Sequence, residues 1–318
     1  MVENSLKNPN DKGYKYLLSN EKFFMEMLET FVDQGWVSQI DSQAITRIEN
    51  SYIPKDFSEQ EADLIYRLKL QGVEVIFYLL LELQSTVDFQ MPYRLLRYMM
   101  GIWQDVLKNT DSNEAAQKEF KMPVIVPIVL YNGVGQWTAQ RQFKDTLAAV
   151  ELFDAYTVNF KYILLDVNRY REETLKQLPN LIKAAFWLDQ KSTPEDFIRR
   201  LKELTQFLGT LTLEDYDYFK AWLQTIAARG IPERAGEIIE IINESRPEEV
   251  AHMVYNFEQT IRDMKNEALL TGQMQGKLED ARKMLDKNMP EELISEITGI
   301  SIDQIRKLKE SSPGKEIQ

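Results

Sequence analysis

The chain has 318 residues, and 38 Lys and Arg against 50 Asp and Glu leave it with a formal net charge of −12. No global basic field therefore attracts nucleic acid, and any contact with DNA must use a local patch. The sequence has no Cys and one His, which excludes a disulfide framework, a thiol nucleophile, a zinc finger and a multi-histidine metal site. Because it shows no apolar leader and no apolar run long enough to span a bilayer, we expect a cytoplasmic protein without membrane association.

The amino-terminal part of the chain predicts a helix followed by strands. Residues Ser19 to Phe31 carry apolar side chains at helical spacing, with Ser19 as the expected N-cap. Residues Ala44 to Ile53 and Ala62 to Leu70 are short runs rich in β-branched and aromatic residues, which predict strands. The tight turn Gln71-Gly72 then leads into Val73 to Leu83, so the last two runs should form a hairpin whose second strand is buried on both faces.

The next segment predicts one largely buried helix, from Met91 to Leu107. Its polar positions form a narrow stripe at helical spacing, consisting of Arg94, Arg97, Gly101 and Gln104. One of the two arginines could clamp a phosphate in bidentate fashion. Ion pairing with an acid near the start of the helix explains them equally well.

Two further strands are predicted at Val124 to Tyr131 and Tyr162 to Val167, and Pro127 restricts the first to an edge or a bulge. The intervening Gly133-Val134-Gly135-Gln136 lacks the third glycine of a dinucleotide loop and is interpreted as a turn, so no nucleotide cofactor is expected. Beyond Tyr170 the pattern is helical, and the predicted helices are Glu172 to Leu188, Pro194 to Leu208, Leu213 to Ala228, Pro232 to Asn243 and Pro247 to Leu270.

The last part of the chain predicts a helix-turn-helix-like tail, in which Gly272 and Gly276 loosen the chain before three short helices. Gly299 is expected to stop the middle helix, and the residues from Ser301 to Gln304 form a capping box for the last one. Arg306 and Lys307 lie on that last helix, where a recognition helix would contact DNA phosphates. A helical hairpin for self-association or docking is the alternative.

The chemistry-bearing residues follow from the predicted hairpin. Asp63 opens its first strand and Glu82 closes its second, so both carboxylates should reach the same end of the sheet. Gln84 projects from the same face as Glu82, and Leu83 offers its backbone carbonyl between them. Such oxygen donors suit Mg²⁺ or Mn²⁺. The alternative is that Glu82 and Gln84 lie at a solvated strand end and Asp63 caps a turn.

Several segments of the chain resemble the recombination-promoting nuclease (Rpn) family, whose members are also described as putative transposases. They are NDKGYKYLLSN, ADLIYRL, LLLELQS, MPYRLLRYM and MPVIVPIVLYNG, within about residues 8–190, and the tail segment EDARKMLDKNMPEELISEITGIS. The family is part of the PD-(D/E)XK nuclease superfamily. The resemblance implies an α/β fold with a restriction-endonuclease-like core, a mixed central sheet flanked by helices, and metal-dependent cleavage of DNA.

The resemblance also assigns roles to individual residues. Asp63 matches the metal-binding Asp of the superfamily, Glu82 its second acid, and Gln84 stands where many relatives have Lys. Glutamine can orient a water molecule but cannot neutralise the charge of a phosphate. The family commonly has His-Asp at its start; here Asn10 replaces the His and Asp11 is retained. Asp11 or Lys15 could therefore approach the site from the first helix.

We therefore expect a nuclease domain in residues 1–190, a helical domain in residues 191–270 and the tail in residues 271–318. The expected function is a Mg²⁺-dependent or Mn²⁺-dependent DNA endonuclease linked to recombination or transposition. The alternative is a weak or inactive protein that keeps the fold and binds DNA or partners. A homodimer is also considered, because a single metal centre cuts one strand.

Overall fold

The computed structural model describes residues 9–41, 44–48, 64–82, 86–177 and 180–310, with only the backbone for residues 9–11 and for Glu82. The chain divides into two compact units, Met1–Tyr255 and Asn256–Gln318. The boundary expected after residue 190 lies inside the first unit.

Five strands form one mixed sheet in the first unit, and their spatial order follows their order along the chain. The first three strands pair antiparallel, whereas the third, fourth and fifth pair parallel. The strands are β1 (Thr46–Ile48), β2 (Leu64–Leu70), β3 (Val73–Glu82), β4 (Val124–Tyr131) and β5 (Ile163–Asp166). The expectation of a mixed central sheet is confirmed.

The turn between β2 and β3 has the backbone of a tight hairpin. Gln71 and Gly72 have φ values of 50° and 81°, as a two-residue turn between twisted strands requires. The pairing runs from Leu70 opposite Val73 to Leu64 opposite Leu79. This confirms the predicted hairpin and brings the start of β2 to the end of the sheet where β3 finishes.

Pro127 lies in an interior strand, which differs from the edge or bulge expected for it. In β4 it pairs with Tyr78 of β3, but the ladder between β4 and β5 begins only at Ile128. At Pro127 the strand therefore has a neighbour on one side, so the missing N–H group breaks no bond to β5.

The helices of the first unit are α1 (Pro9–Leu17), α2 (Glu21–Phe31), α3 (Met91–Asn109), α4 (Ser112–Ala115), α5 (Val150–Phe153), α6 (Glu172–Lys176), α7 (Leu181–Asp189), α8 (Pro194–Leu208), α9 (Leu213–Gly230) and α10 (Ala235–Glu244). The next helix, α11 (Val250–Asp286), continues into the second unit. The predicted helix Glu172 to Leu188 is thus two helices.

Two details of helices α2 and α3 differ from expectation. The N-cap of α2 is Asn20, whose side chain accepts a hydrogen bond from the backbone N–H of Lys22 at 2.9 Å, and not Ser19. Gly101 of α3 is buried, so the polar stripe along this helix consists of the other three predicted positions.

Helices cover both faces of the sheet. On one face, α3 places Leu95, Tyr98 and Ile102 in a core with Tyr78 and Val129 of the sheet. On the other face, Phe24 of α2 stacks on Tyr66, with ring centroids 3.9 Å apart, and meets Phe77 edge to face. Burying both faces accounts for the nearly continuous apolar sequence of β3.

Gly13 allows α1 to lie directly against α9. A Cβ atom at this position would lie 2.2 Å from Thr225 Oγ1 and 3.2 Å from its Cβ and Cγ2 atoms. Thr225 Oγ1 itself donates a hydrogen bond to the Trp222 carbonyl at 2.7 Å. The side chain is therefore held in the position where the clash would occur.

We expect Gly13→Ala to lower the free energy of unfolding by about 1–3 kcal/mol, the usual cost of overpacking. This would be notable because alanine is intrinsically about 1 kcal/mol better than glycine inside a helix. Urea denaturation measures the change. Adding Thr225→Ala to the Gly13→Ala chain should restore part of the lost free energy of unfolding. Gly236→Ala is the matched control, because no atom lies within 4 Å of the Cβ added there. Unchanged stability of the Gly13→Ala chain would contradict the prediction.

The second unit contains most of α11, from residue 256 to residue 286, together with α12 (Glu291–Thr298) and α13 (Ile302–Glu310). The expectation that Gly272 and Gly276 loosen the chain is wrong, since α11 is continuous through both. The boundary expected after residue 270 also lies within this helix. The three helices enclose a small core formed by Ala281, Ile294, Ile300 and Ile305.

The expected turn signals of the tail are confirmed. Gly299 ends α12 in the left-handed conformation, with φ of 71°. Ser301 and Gln304 form the reciprocal capping box, because Gln304 N donates to Ser301 Oγ at 3.4 Å and Ser301 N donates to Gln304 Oε1 at 3.3 Å. Among the described residues, no helix combines the length and apolarity needed to cross a membrane.

Candidate active site

The candidate site lies at the edge of the sheet where β3, β4 and β5 end, here called the carboxyl edge. Glu82 pairs with Tyr131, and Tyr131 pairs with Asp166, so the last residues of the three strands are in register. The β2 strand begins at this edge with Leu64, which pairs with Leu79, three residues before Glu82. Loops after parallel strands meet here, which is where open α/β sheets bind ligands.

The predicted metal ligands flank this edge along the chain. Asp63 directly precedes β2, and Leu83 and Gln84 directly follow β3, but all three lie outside the described residues. Glu82 is the last residue of β3, and its side chain is not described. The hairpin register agrees with the two acids belonging to one end of the sheet, while the distance between their carboxyl groups stays a prediction.

Asp166, a third acid at the carboxyl edge, was not identified from the sequence. Its side chain is 11% exposed, and its nearest cation is Arg169, with Nε 3.9 Å from Oδ2. Its Oδ1 atom is buried without a hydrogen-bond partner among the described residues. Burial raises the pKa of this carboxyl, against the opposing charge of Arg169. Its signal in the sequence was an acid at the end of a predicted strand.

A buried polar cluster lies beside the same edge, centred on the completely buried carboxylate of Asp189 at the end of α7. Tyr14 Oη of α1 donates to Asp189 Oδ2 at 3.1 Å, and Asn132 Nδ2, directly after β4, donates to the same atom at 2.9 Å. Arg229 of α9 forms a short ion pair with Asp189 Oδ1. The cluster therefore connects three helices, α1, α7 and α9, to the end of β4.

Desolvation dominates the titration of this cluster. Burial raises the pKa of Asp189, although Arg229 and the hydrogen bonds from Asn132 and Tyr14 oppose the shift. Burial and the neighbouring carboxylate also raise the pKa of Tyr14 well above its ordinary value, so the phenol stays a donor.

The first helix brings two predicted residues towards the sheet. Asp11 and Lys15 both belong to α1, which packs against α9 and contacts β3. The side chain of Asp11 is not described. Because Tyr14 lies between these two positions and is bound to Asp189, the buried cluster fixes α1 relative to the end of β4.

The two arginines of α3 lie in different settings. Arg94 Nη1 is 2.6 Å from Asp88 Oδ2, which is the ion pair at the helix start that the sequence left as an alternative. Arg97 is exposed, and its guanidinium lies 5.9 Å from the ring centroid of Tyr93. A contact with phosphate stays a prediction for both.

The basic residues of α13 are held by an acid of α12. Arg306 Nε lies 3.0 Å from Glu291 Oε2, and Lys309 Nζ lies 3.1 Å from Glu291 Oε1. Both bonds hold the pKa of Glu291 below its usual value. Lys307 is exposed on the same helix. The two ion pairs of Glu291 link α12 to α13. A contact of Arg306 or Lys307 with DNA stays a prediction.

Among the residues whose side chains are described, no group of three or more His, Asp or Glu is arranged to hold a metal ion. The candidate metal site therefore depends on Asp63 and Glu82 beside the strand ends.

The model of the family described as "Putative transposase, YhgA-like" matches residues 8–218. This match covers most of the chain, including all five strands and the cluster residues Tyr14, Asn132 and Asp189. The chain belongs to this family. The membership agrees with the resemblance to the Rpn proteins noted in the sequence.

Curated relatives of this YhgA-like chain carry the Rpn name. The chain is 21% identical over 254 residues to recombination-promoting nuclease RpnD of Escherichia coli O157:H7, covering 78% of this chain and 92% of RpnD. It is 23% identical over 125 residues to recombination-promoting nuclease RpnC of Escherichia coli strain K12, which is 39% of each protein. It is 21% identical over 133 residues to the inactive recombination-promoting nuclease-like protein RpnE of the same strain, which is 42% of each.

The chain thus spans less than half of RpnC and RpnE but almost all of RpnD. No solved structure matches it.

Proposed function

We propose that this protein is a Mg²⁺-dependent or Mn²⁺-dependent DNA endonuclease with a restriction-endonuclease-like core of the PD-(D/E)XK type, acting in recombination or transposition. The observation that carries the proposal is the register of the carboxyl edge. The strand that follows Asp63 starts where the strand that ends at Glu82 finishes. The name of RpnD, which the chain covers almost completely, supports the same activity.

The donor set fits a hard divalent cation. The carboxylates of Asp63 and Glu82 and the carbonyl of Leu83 offer the oxygen ligands that Mg²⁺ and Mn²⁺ take, and leave positions for water and phosphate. When bound there, such an ion supplies Lewis acidity at the phosphate and a water of lowered pKa. A fixed ligand geometry requires rigid backbone, which the paired strands and the Asp189 cluster provide.

The remaining predicted residues are assigned to orienting the attacking water and to contacts with the DNA substrate. Gln84 positions the attacking water through its amide but adds no positive charge, which makes hydrolysis depend on the cation more than in relatives with Lys. Asp11 and Lys15 lie on α1, which Tyr14 links to Asp189 beside the end of β4, and we assign both to contacts with the DNA substrate.

The decisive experiment incubates the purified full chain with supercoiled plasmid in Mg²⁺, in Mn²⁺ and with EDTA. We expect conversion to the nicked or linear form with either cation and none with EDTA, because the ion is required for the hydrolysis. Chains carrying Asp63→Ala and Glu82→Ala are measured beside it. Equal cleavage by all three chains would reveal a contaminating nuclease.

The same experiment covers the alternative function. A folded chain that binds DNA but leaves the plasmid intact with both cations would contradict the proposed hydrolysis. It would favour an inactive binding protein, the condition that the name of RpnE states for that relative.

A further inference from the structure

We propose that residues 134–141, here called the edge segment, form a DNA-reading element that contacts base edges beside the cleavage site. This inference rests on the proposed function, because it names the part of the protein that would select the DNA. The segment follows β4, and Tyr131 at the end of β4 pairs with Glu82. It therefore starts at the carboxyl edge.

The edge segment alternates between buried and exposed residues although it is neither helix nor strand. Trp137 and Ala139 are 7% and 5% exposed and belong to the core beneath α3. Gln136, Thr138 and Gln140 are exposed. Trp137 and Ala139 thus attach the segment to the core, while the residues beside them face solvent. Three polar, uncharged side chains are thereby presented in a row.

Hydrogen bonds from neighbouring elements hold this backbone in place. Arg169 Nη2 donates to the Val134 carbonyl at 3.0 Å, and Tyr131 Oη donates to the Gly135 carbonyl at 3.1 Å. Tyr162 Oη donates to the Gln140 carbonyl at 2.8 Å and accepts from Trp137 Nε1 at 2.8 Å. A loop anchored at several carbonyls is preorganised, so little conformational entropy would be lost on binding.

Hydrogen bonds also hold the two residues between β4 and the edge segment. Asn168 Nδ2 donates to the carbonyls of Asn132 at 2.6 Å and Gly133 at 3.1 Å. A Cβ atom at Gly133 would lie 2.0 Å from Tyr131 Oη, so the close approach of ring and backbone requires glycine. The turn at residues 132–133 has no phosphate-binding fingerprint. Its contacts fix the direction in which the chain leaves β4 and enters the edge segment.

Local charge favours a polyanion at this place. Residues 132–144, which follow β4 and include the edge segment, contain no Asp or Glu and include Arg141 and Lys144. Lys144 Nζ lies 3.4 Å from Asp154 Oδ1. The guanidinium of Arg141 lies 5.3 Å from the ring centroid of Tyr162, which fixes its position at the end of the edge segment. The edge segment itself therefore adds positive and no negative charge, which reduces the repulsion of DNA by an acidic protein.

The side chains match the chemistry of base edges. A glutamine amide pairs in bidentate fashion with adenine, threonine contacts bases through its hydroxyl or methyl group, and arginine pairs with guanine or phosphate. Each base pair presents a distinct pattern in the major groove, so we assign the exposed side chains of the segment to contacts there. The edge segment is accordingly assigned to duplex DNA.

The test is a binding selection that requires no cleavage. The full chain, in Ca²⁺, is mixed with a pool of duplexes carrying a random central region, and the bound duplexes are sequenced. We expect the wild-type chain to enrich particular bases at a few positions. The chain carrying both Gln136→Ala and Gln140→Ala should lose that preference, by about 5-fold to 150-fold at each affected position.

Gln206→Ala, which changes an exposed glutamine of α8, is the matched control and should select like the wild-type chain. Circular dichroism confirms that the variants are folded. Absence of base preference in the wild-type chain, or an unchanged preference in the double variant, would overturn the inference. Selection of sequences by a chain that cleaves no plasmid in Mg²⁺ would support the inference while the proposed hydrolysis fails.

Discussion

Replacing Arg229 with Met is expected to lower the free energy of unfolding by about 3 kcal/mol, because it leaves the buried carboxylate of Asp189 without its cation. The guanidinium of Arg229 is partly exposed, whereas the carboxylate of Asp189 is completely buried. The cost therefore arises from the buried charge of Asp189, which water cannot solvate. Tyr14 and Asn132 would remain as neutral donors, which compensate a buried charge only in part. Urea denaturation at pH 7 measures the change.

The pH dependence of the Arg229→Met chain gives a second readout. Burial without the cation raises the pKa of Asp189 further, so the folded state prefers the protonated form. The pKa of Asp189 in the folded variant then lies above its value of about 3.9 in the unfolded chain. Such a shift stabilises the folded state at pH values below about 3.9, and this stabilisation is lost as the pH rises through the pKa of the folded state. The deficit relative to the wild-type chain should therefore be smallest near pH 4 and grow towards pH 7.

Two variants control this experiment. Adding Asp189→Asn to Arg229→Met removes the orphan charge and should recover much of the stability. Arg199→Met breaks surface ion pairs with Glu172, Asp196 and Glu203, and it should have little effect because exposed pairs contribute little. A deficit that does not change with pH would show that Arg229 acts by packing and not by its charge.

Replacing Glu82 with Gln is expected to lower the rate of plasmid nicking by at least about 100-fold. Loss of groups that merely orient metal ligands costs 10-fold to 100-fold, so loss of a ligand charge should cost more. Glutamine has nearly the same shape as glutamate, and the fold should persist. The rate is measured from the initial loss of supercoiled plasmid in Mg²⁺.

Glu74→Gln is the matched control, because Glu74 lies on the same strand at its other end, where its Oε1 atom is 3.6 Å from Arg67 Nε. It should cleave like the wild-type chain. Full activity of the Glu82→Gln chain, or equal losses in both variants, would contradict the assignment of Glu82 to the site.

The elements of this fold that were predicted well are those with strong local signals. Strand β4 and helix α8 begin and end at the predicted residues, because an apolar β-branched run and a Thr-Pro helix start are both encoded locally. The hairpin followed from one turn with glycine at its second position. The predicted helix Glu172 to Leu188 failed although Pro179 within it was an available signal.

The features that were missed depend on distant contacts. Tyr14 and Asp189 are separated by 175 residues, so no pattern within a window could pair them. Asp166 became notable only when the parallel pairing of β4 and β5 set it in line with Glu82. The continuity of α11 through Gly272 and Gly276 shows that isolated glycines reduce helix stability without ending a long helix.

The turn at Gln71 and Gly72 offers a place for a reporter group. Val73 is 59% exposed and opens the ten-residue strand that ends at Glu82, so the two residues lie about 30 Å apart. Since the chain contains no Cys, a thiol introduced by Val73→Cys would be unique and could carry a fluorophore. Such a label would follow the arrival of a dye-tagged duplex by energy transfer without touching the residues it is meant to observe.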